Sequence, residues 1–308
     1  MTKFQNARYL TGTQYAGADK LAARITLHDQ YTVNHIDLHR WLFDVMLAVI
    51  GPAGRILEVG TGRGDLWKKA ASAELALEET AKIATGENQT VTATNKPAPP
   101  PREKFGRIPP HWEITLTDLS AGMLVDNKAH LGAPLAARFR YGEADVQDLP
   151  YPDKSFDAVI ANYMLYHAPD LDRAVRELRR VLRPGGSLLA MTNGERHMQE
   201  INQFAEKAGL ASEAGANGLM NVRLAFNLQN GAEALRRSFQ DVVRLDYPTE
   251  LCVTDVQPVL DYVASMLDDP DEVMSGSAGL ALARVLEMRL AEQGVIRISK
   301  ETGLFVAR

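Results

Sequence analysis

Residues 55–65 read Arg-Ile-Leu-Glu-Val-Gly-Thr-Gly-Arg-Gly-Asp, and this stretch decides the fold class. The apolar run 55–59 has the character of a short β-strand, and glycines follow it at alternate positions. A helical pattern rich in Ala, Leu, Glu and Lys begins directly afterwards and covers 65–82. Glycines at such a turn let the backbone bend sharply and let a ligand lie against bare main chain. The stretch predicts a ligand-binding turn between strand and helix, with a plain tight turn as the alternative.

The spacing of the glycines argues against two phosphate-binding motifs. A dinucleotide-binding turn needs Gly-x-Gly-x-x-Gly. Counted from Gly60, its third glycine would fall at Asp65, and counted from Gly62 it would fall at Trp67. The Lys-Ser/Thr pair that ends a P-loop does not follow the last glycine of this turn. The pattern favours a ligand that carries no phosphate and has a cationic amino-acid end.

Strand and helix patterns alternate from this turn toward the carboxyl terminus. Predicted strands cover 113–118, 139–145, 156–161 and 187–192, and predicted helices cover 120–131 and 171–182. Residues 183–186, Arg-Pro-Gly-Gly, have the composition of a turn that stops the second of these helices. Alternation at this spacing indicates βαβ units and a parallel sheet with right-handed crossovers.

The sequence divides into three predicted regions. Residues 1–50 form an N-terminal helical cap, 51–194 the alternating core, and 195–308 a mostly helical lid or substrate region that also supplies the last strands. Within the core, 85–112 is rich in Gly, Thr and Pro, which predicts a surface insertion without helix or central strand. Residues 267–279 are predicted to form an exposed acidic loop.

The overall composition limits the possible partners and compartments. The length of 308 residues allows about two domains or one enlarged α/β domain. With 34 Lys and Arg against 39 Asp and Glu, the net charge of −5 gives no global attraction for phosphate backbones, so no nucleic acid is expected as a partner. Cys252 is the only cysteine, which excludes an internal disulfide and a Cys-based zinc site. Neither a signal peptide nor an apolar run of about 20 residues occurs, so a cytoplasmic protein without membrane contact is expected.

Two acidic residues follow predicted strands of the core. Asp118 closes the strand 113–118, where an acid can accept both hydroxyls of a ribose. Asp145 follows the next strand, where a carboxylate can accept from an exocyclic adenine amine. Because ligands bind at the carboxyl ends of parallel strands, these acids are expected to share one crevice with Glu58 and the glycine turn. For each acid, a purely structural role at a strand end, helix start or turn is the alternative.

Four segments, in this order, carry a family resemblance: ILEVGTGRG at 56–64, TDLSAGML at 117–124, ADVQDLPYPDKSFDAVIANYMLYH at 144–167 and LRRVLRPGGSLL at 178–189. Over about 55–192 the chain resembles the class I S-adenosylmethionine-dependent methyltransferases, in particular the small-molecule group that includes the ubiquinone/menaquinone-biosynthesis type. The resemblance implies a Rossmann-like α/β fold with helices on both faces of a seven-stranded, mostly parallel sheet. Its antiparallel last strand would match residues 303–308, and Gly64 would open the first core helix.

The resemblance also implies S-adenosylmethionine as the cofactor, with no metal. Glu58 and the backbone of Gly60, Thr61 and Gly62 would then hold the methionine end. Asn162, just after the fourth strand, would line the amino-acid end.

The adenosine end has its own matched residues in the family pattern. Asp118 matches the acid that binds the ribose. Leu119 and Met123 would pack on the adenine. Asp145 and Val146 match the pair that reads the adenine edge.

Candidate residues for the methyl acceptor are fewer. His167 lies just beyond the fourth strand, where donor and acceptor should meet, and is the candidate general base. A helix-capping or backbone-bonding role is the alternative for this histidine. Tyr163, Tyr166, Tyr15 and Tyr31 are candidates for the substrate pocket.

The resulting expectation is an S-adenosylmethionine-dependent methyltransferase that transfers a methyl group to O, N, C or S of a small molecule by in-line displacement. Two alternatives stay open. One is a methyltransferase that acts on tRNA or protein. The other is a cofactor-binding protein of this fold that catalyses a non-methylating reaction. Both a monomer and a homodimer are compatible with the sequence.

Overall fold

The computed structural model describes residues 19–34, 36–72, 108–210, 225–267 and 269–308. Its strands are β1 (Ala53–Val59), β2 (His111–Asp118), β3 (Phe139–Glu143), β4 (Phe156–Asn162), β5 (Leu182–Asn193), β6 (Val242–Asp246), β7 (Thr249–Val253), β8 (Ile296–Lys300) and β9 (Thr302–Ala307). Its helices are α1 (Asp19–Tyr31), α2 (Leu38–Ile50), α3 (Ala121–Leu131), α4 (Ala133–Ala136), α5 (Leu171–Val181), α6 (Gln199–Lys207), α7 (Gly231–Arg236), α8 (Gln257–Ala264), α9 (Pro270–Ser275) and α10 (Ser277–Gln293). Residues 65–72 are also helical, and the predictions for Tyr15, for 73–82 and for 85–107 lie outside the described residues.

A seven-stranded sheet with the order β3-β2-β1-β4-β5-β9-β6 forms the centre of the structure. Neighbouring strands pair in parallel from β3 to β5, and β9 pairs antiparallel with both β5 and β6. This topology confirms the predicted Rossmann-like class. The chain leaves β1 toward β2 on one side and returns to β4 on the other. A crevice therefore opens at the carboxyl end of β1, where ligands bind in open parallel sheets.

Apolar residues cover both faces of the sheet because the central strands are buried on both sides. On β1, Leu57 and Val59 join the cluster that includes residues of α5 and α7. Ile56 faces the opposite way, toward a cluster that includes Phe43 of α2 and Trp67. A continuous apolar run such as 55–59 is the sequence expected for a strand covered on both faces.

A third apolar cluster lies on elements outside this sheet. Strands β7 and β8 form an antiparallel pair in which Leu251 is opposite Ile298. Their buried residues pack with residues of α1, α6, α8 and α10. The sequence predicted mostly helix here. Each strand is only five residues long, and helices α8 to α10 separate the two strands in the sequence, so no local pattern predicts their pairing.

Three local expectations are corrected by the structure. Residues 183–186 were predicted to form a turn after the helix, but they lie within β5. The pairing of β4 with β5 is irregular there, because Phe156 pairs with Leu182 whereas Ala158 pairs with Ser187. Gly185 adopts φ 77° there, a conformation that glycine tolerates.

The predicted insertion 85–112 extends too far, because β2 already begins at His111.

The predicted acidic loop 267–279 is instead largely helical. It contains α9 and the start of α10. Asp269 caps α9 by accepting from the backbone N–H of Glu272, and Pro270 occupies the first turn. Asp followed by Pro at this spacing is a helix-start signal that outweighs the polar composition. Among the described residues, no helix has the length and apolar character needed to cross a membrane.

Truncation of a central strand residue is expected to destabilise the fold strongly. Ile160 in β4 is fully buried, so Ile160→Ala should lower the free energy of unfolding by about 2–5 kcal/mol through lost burial and a residual cavity. Val243 in β6 is 55% exposed, and Val243→Ala should cost below about 0.5 kcal/mol. Urea unfolding followed by circular dichroism measures both. Equal losses for the two variants would contradict the described core.

Candidate active site

One large cavity of about 1220 Å³ lies at the carboxyl ends of β1, β2 and β4. Ligand pockets usually measure roughly 300–1,000 Å³. The cavity is therefore larger than a typical pocket for one small ligand. Strand-end residues line one part of the cavity, and residues of α1, α8 and β8 line another.

The carboxylate of Glu58 lies buried at the end of β1 and accepts three side-chain hydrogen bonds. Thr61 Oγ1 donates to Oε2 at 3.0 Å, and Trp67 Nε1 donates to the same oxygen at 2.6 Å. Asn162 Nδ2 donates to Oε1 at 3.3 Å. The acid therefore connects the glycine turn, the helix that follows it and the end of β4.

Burial raises the pKa of Glu58 from 4.5 to about 7, because desolvation and the nearby charge of Asp118 outweigh the three hydrogen bonds. Burial also raises the pKa of Asp118, although backbone N–H groups of Ser120 and Gly62 oppose this shift. Glu58 and Asp118 are thus two desolvated acids at one cavity. Among the described residues, no basic side chain forms an ion pair with either of them. A cationic group bound beside them would be stabilised electrostatically.

The three glycines of the turn have different steric surroundings. All have positive φ, with 66° for Gly60, 54° for Gly62 and 79° for Gly64. A Cβ at Gly60 would lie 2.8 Å from Met164 Cβ, and one at Gly64 would lie 2.7 Å from Asn127 Nδ2. A Cβ at Gly62 would meet no atom within 4 Å. Gly60 and Gly64 thus permit close packing, while Gly62 leaves open space where a ligand can approach the main chain.

Asn127 of α3 supports this turn, a role that the sequence analysis did not predict. Its side chain is fully buried, and Nδ2 donates to the carbonyl of Gly62 at 2.9 Å. Tyr141 donates its hydroxyl hydrogen to Asn127 Oδ1 at 3.3 Å. The signal was present, because Asn127 lies at helical spacing between the apolar residues Met123 and Leu131. A polar residue on an otherwise apolar helix face is buried with a partner.

Asp118 lies at the end of β2, as predicted, and its carboxylate is already engaged. Oδ2 accepts from Gly62 N–H at 3.1 Å and Oδ1 from Ser120 N–H at 3.0 Å. Ser120 in turn caps α3 through Met123 N–H, which confirms the predicted helix start. An ionised carboxylate has about four acceptor sites, so Asp118 retains capacity for two further donors.

Asn162 holds an unpartnered polar atom in the cavity wall. Its Oδ1 is buried and accepts no hydrogen bond from any described residue. A buried acceptor without a partner costs about 1–3 kcal/mol. Nδ2 is committed to Glu58 and the residue lines the cavity, so Oδ1 is the atom of this side chain that a ligand N–H can satisfy.

The predicted adenosine-binding residues also line the cavity. Met123 and Val146 are buried, whereas Leu119 is 37% exposed. Asp145 accepts from the backbone and side chain of Gln147, the backbone N–H at 2.8 Å. The structure thus brings these residues to one rim.

The acceptor candidates divide into two groups. His167, Tyr163 and Tyr166 line the cavity, and the His167 backbone N–H bonds Met164 O at 2.9 Å. Tyr163 adopts φ 53° directly after β4, a strained conformation for a bulky residue that is frequent at functional sites. Tyr31 departs from the prediction, because it packs against the third apolar cluster and is not among the described residues that line the cavity.

The far part of the cavity carries polar residues that sequence patterns did not single out. They include His197, Tyr262 and Lys300, which belong to elements distant in sequence. Their convergence depends on the pairing of β7 with β8, which had no local signal. No group of three or more potential metal-ligating residues occurs within the described ranges.

Residues 102–190 match the family model of the methyltransferase domain. The chain is similar to the ubiquinone/menaquinone biosynthesis C-methyltransferase UbiE of Hahella chejuensis, with 38% identity over 91 residues that cover 29% of this chain and 36% of that protein. It is also similar to the malonyl-[acyl-carrier protein] O-methyltransferase of Methylococcus capsulatus, with 32% identity over 149 residues that cover 44% of this chain and 51% of that protein. The chain thus spans only about a third to a half of the length of these curated relatives. The matches confirm its resemblance to the class I S-adenosylmethionine-dependent methyltransferases.

Solved structures share the fold at low sequence identity. The [4+2]-cyclase SpnF aligns with a TM-score of 0.51 at 17% identity, over 98% of this chain and 96% of that chain. A putative methyltransferase from Bacillus halodurans aligns with a TM-score of 0.51 at 15% identity, over 87% of this chain and 97% of that chain. These likenesses confirm the fold.

The raised pKa of Glu58 predicts a pH-dependent stability. A carboxyl group whose pKa is higher in the folded state contributes stability below its unfolded pKa and loses it as pH rises through the folded value. Relative to Glu58→Gln, the wild-type protein should therefore lose about 2–3 kcal/mol of unfolding free energy as pH rises from 4.5 to about 7.

Urea unfolding at a series of pH values measures this difference. Glu113→Gln on β2 is the matched control, since the side chain of Glu113 is 52% exposed. Parallel pH profiles for wild type and Glu58→Gln would show that burial does not perturb this acid.

Proposed function

We propose that this chain, with its methyltransferase domain and class I fold, is an S-adenosylmethionine-dependent methyltransferase acting on O, N, C or S of a small molecule. The proposal extends to a cytoplasmic location and to function without a nucleic-acid or membrane partner. S-adenosylmethionine, when bound, supplies a methyl group already activated by its sulfonium. The protein then has mainly to bind, orient and exclude water.

The observation that carries the proposal is the set of polar groups around the glycine turn. Glu58 presents a desolvated acid, and Asn162 Oδ1 is a buried acceptor without a donor. At Gly62 a Cβ would meet no atom within 4 Å, so a ligand can approach the main chain there. A positively charged amino-acid end with N–H donors satisfies all three features. The residues present therefore fit the methionine end of this cofactor.

The second part of the fit concerns a sugar and a base. Asp118 keeps acceptor capacity for the two hydroxyls of a ribose while it holds the turn through Gly62. Met123, Leu119 and Val146 offer apolar surface for a flat ring at the same rim. Asp145 would accept from the exocyclic amine of adenine.

The residues that we assign to the methyl acceptor follow β4 in the sequence. His167 is placed by its backbone bond to Met164 and lines the cavity, so we assign it the role of general base for acceptors that arrive protonated. Tyr163 and Tyr166 would shape the pocket around the acceptor. Nothing in this assignment requires a metal.

The fold alone does not separate methyl transfer from other chemistry, since SpnF, which shares the fold, is a [4+2]-cyclase. A net charge of −5 counts against a methyltransferase that acts on tRNA. Conversion of S-adenosylmethionine to S-adenosylhomocysteine with a panel of small acceptors, followed by mass spectrometry, tests the reaction. Unchanged cofactor beside a processed acceptor would replace methyl transfer with a non-methylating reaction.

Removal of the Asp118 carboxylate should weaken cofactor binding. Asp118→Ala is expected to cost about 1–3 kcal/mol in the affinity for S-adenosylhomocysteine, because charged hydrogen bonds to the ribose are lost. Isothermal titration calorimetry measures the change. Asp126→Ala on α3 is the control, because it removes the same charge at a residue that does not line the described cavity. Equal affinities of wild type and Asp118→Ala would remove Asp118 from the site.

A further inference from the structure

The part of the cavity remote from the glycine turn has a wall of polar and basic side chains, two of which donate within the protein: Arg24 Nε to Ser265 Oγ at 3.0 Å and Thr32 Oγ1 to the His28 carbonyl at 2.6 Å. We call Arg24, His28, Thr32, His197, Tyr262 and Lys300 the donor wall, and all six line the cavity. These residues belong to α1, α8, β8 and the turn before α6. None of these elements is a strand of the seven-stranded sheet that carries Glu58 and Asp118.

Backbone hydrogen bonds fix the elements of the donor wall relative to one another. Val33 N–H, just after α1, bonds the carbonyl of Glu250 in β7 at 3.1 Å. Met198 N–H bonds the carbonyl of Ser299 in β8 at 2.8 Å. Because β7 pairs with β8, the turn that carries His197 and the end of α1 are both held against the strand that carries Lys300.

The two histidines of the wall are close together and electrically neutral. Their ring centroids are 6.3 Å apart. Burial, together with the charge of Lys300, lowers the pKa of His197 to about 3 and that of His28 well below 6.5. His197 Nδ1 accepts from Glu301 N–H at 3.2 Å, so its remaining ring N–H is a free donor in the neutral tautomer. His28 Nδ1 is buried without a hydrogen-bond partner.

Lys300 supplies an ammonium that lacks a carboxylate partner. Among the described residues its Nζ forms no ion pair, and it donates to Thr32 Oγ1 at the long distance of 3.4 Å. The nearby acids are already engaged, since Asp29 and Asp37 pair with Lys69 at 3.0 and 3.1 Å. Burial lowers the pKa of Lys300 to about 8, with Lys69 adding to the shift and the two acids opposing it.

A half-buried ammonium without a carboxylate partner among the described residues, close to a histidine whose second ring N–H is a free donor, matches an anionic oxygen group. We propose that the donor wall binds a carboxylate or phosphate group of the methyl acceptor, with Lys300 as the counter-charge and His197 as a hydrogen-bond donor. The acceptor is then a small acid. Tyr262, Met266 and Ile25 line the same region and offer apolar surface for its body. This inference rests on the proposed function, because it assigns the glycine-turn part of the cavity to the cofactor.

Binding of matched acids and amides in the presence of saturating S-adenosylhomocysteine tests the inference. The probes are benzoate with benzamide, 3-phenylpropionate with its amide, and phenyl phosphate with phenol, each measured by calorimetry at pH 7. The wild-type protein should prefer at least one acid over its neutral partner by roughly 10- to 100-fold, since a hydrogen bond to a charged group has this strength. The carboxylate and phosphate arms identify the kind of anion.

Variants of Lys300 connect the preference to the donor wall. Lys300→Met should abolish the preference, and Lys207→Met at the exposed end of α6 should retain it. In the wild type the preference should fall as pH rises through about 8, where the ammonium loses its proton. Lys300→Arg should keep the preference without this pH dependence, because a guanidinium stays charged. The two histidines are already neutral at pH 7, hydrogen bonds from His39 and Lys69 hold the pKa of Asp37 well below its usual range, and burial raises the pKa of Tyr262 to about 12.

The outcomes separate this inference from the proposed function. Absence of any acid preference in a wild-type protein that binds S-adenosylhomocysteine would overturn the inference alone. So would a loss of S-adenosylhomocysteine affinity in Lys300→Met, because the wall would then bind the cofactor's own carboxylate. Failure of the wild type to bind S-adenosylhomocysteine would overturn the proposed function together with the inference. Thermal unfolding of each variant verifies that it is folded.

Discussion

The buried carboxylate of Glu58 is the constraint on which the rest of the site depends. An acid at the end of a central strand can be desolvated only if donors surround it, and here Thr61, Trp67 and Asn162 supply them. These donors come from the glycine turn, from the helix after it and from β4. One desolvated group thereby fixes the relative positions of three elements, and it does so at the carboxyl edge of the sheet, where the strand order reverses.

A second layer of hydrogen bonds keeps the glycine turn in a binding conformation without a ligand. Asp118 holds the N–H of Gly62 and Asn127 holds its carbonyl, so the peptide groups on both sides of this residue are fixed. The turn therefore does not have to be ordered when a ligand binds, which lowers the entropic cost of association. The open space at Gly62 and the unpartnered oxygen of Asn162 are the points left for the ligand.

The cavity is built from strand ends of the seven-stranded sheet and from elements outside that sheet. The methyltransferase-domain match covers 102–190, which includes β2 to β4 and most of β5. Neither β1 with the glycine turn nor the elements that carry Lys300, Tyr262 or His197 lie within it. The carboxyl ends of β1, β2 and β4 provide one wall of the cavity. The pair β7–β8 and the helices packed on it provide the remaining wall, and by the inference drawn above this wall binds the anionic group of the acceptor.

The sequence by itself determined the parallel sheet, the glycine turn and the strand-end acids, because alternating apolar runs and turn residues are local signals. It also predicted the Ser120 cap of α3. It did not reveal the β7–β8 pair, the irregularity at Gly185 in β5 or the helix at α9, and it overlooked Asn127. Only the tertiary structure brought His28, His197 and Lys300 together, since their proximity depends on strand pairing between segments far apart in the chain. Likewise, burial raises the pKa of Glu58 and lowers the pKa of Lys300, and no single stretch of sequence specifies that burial.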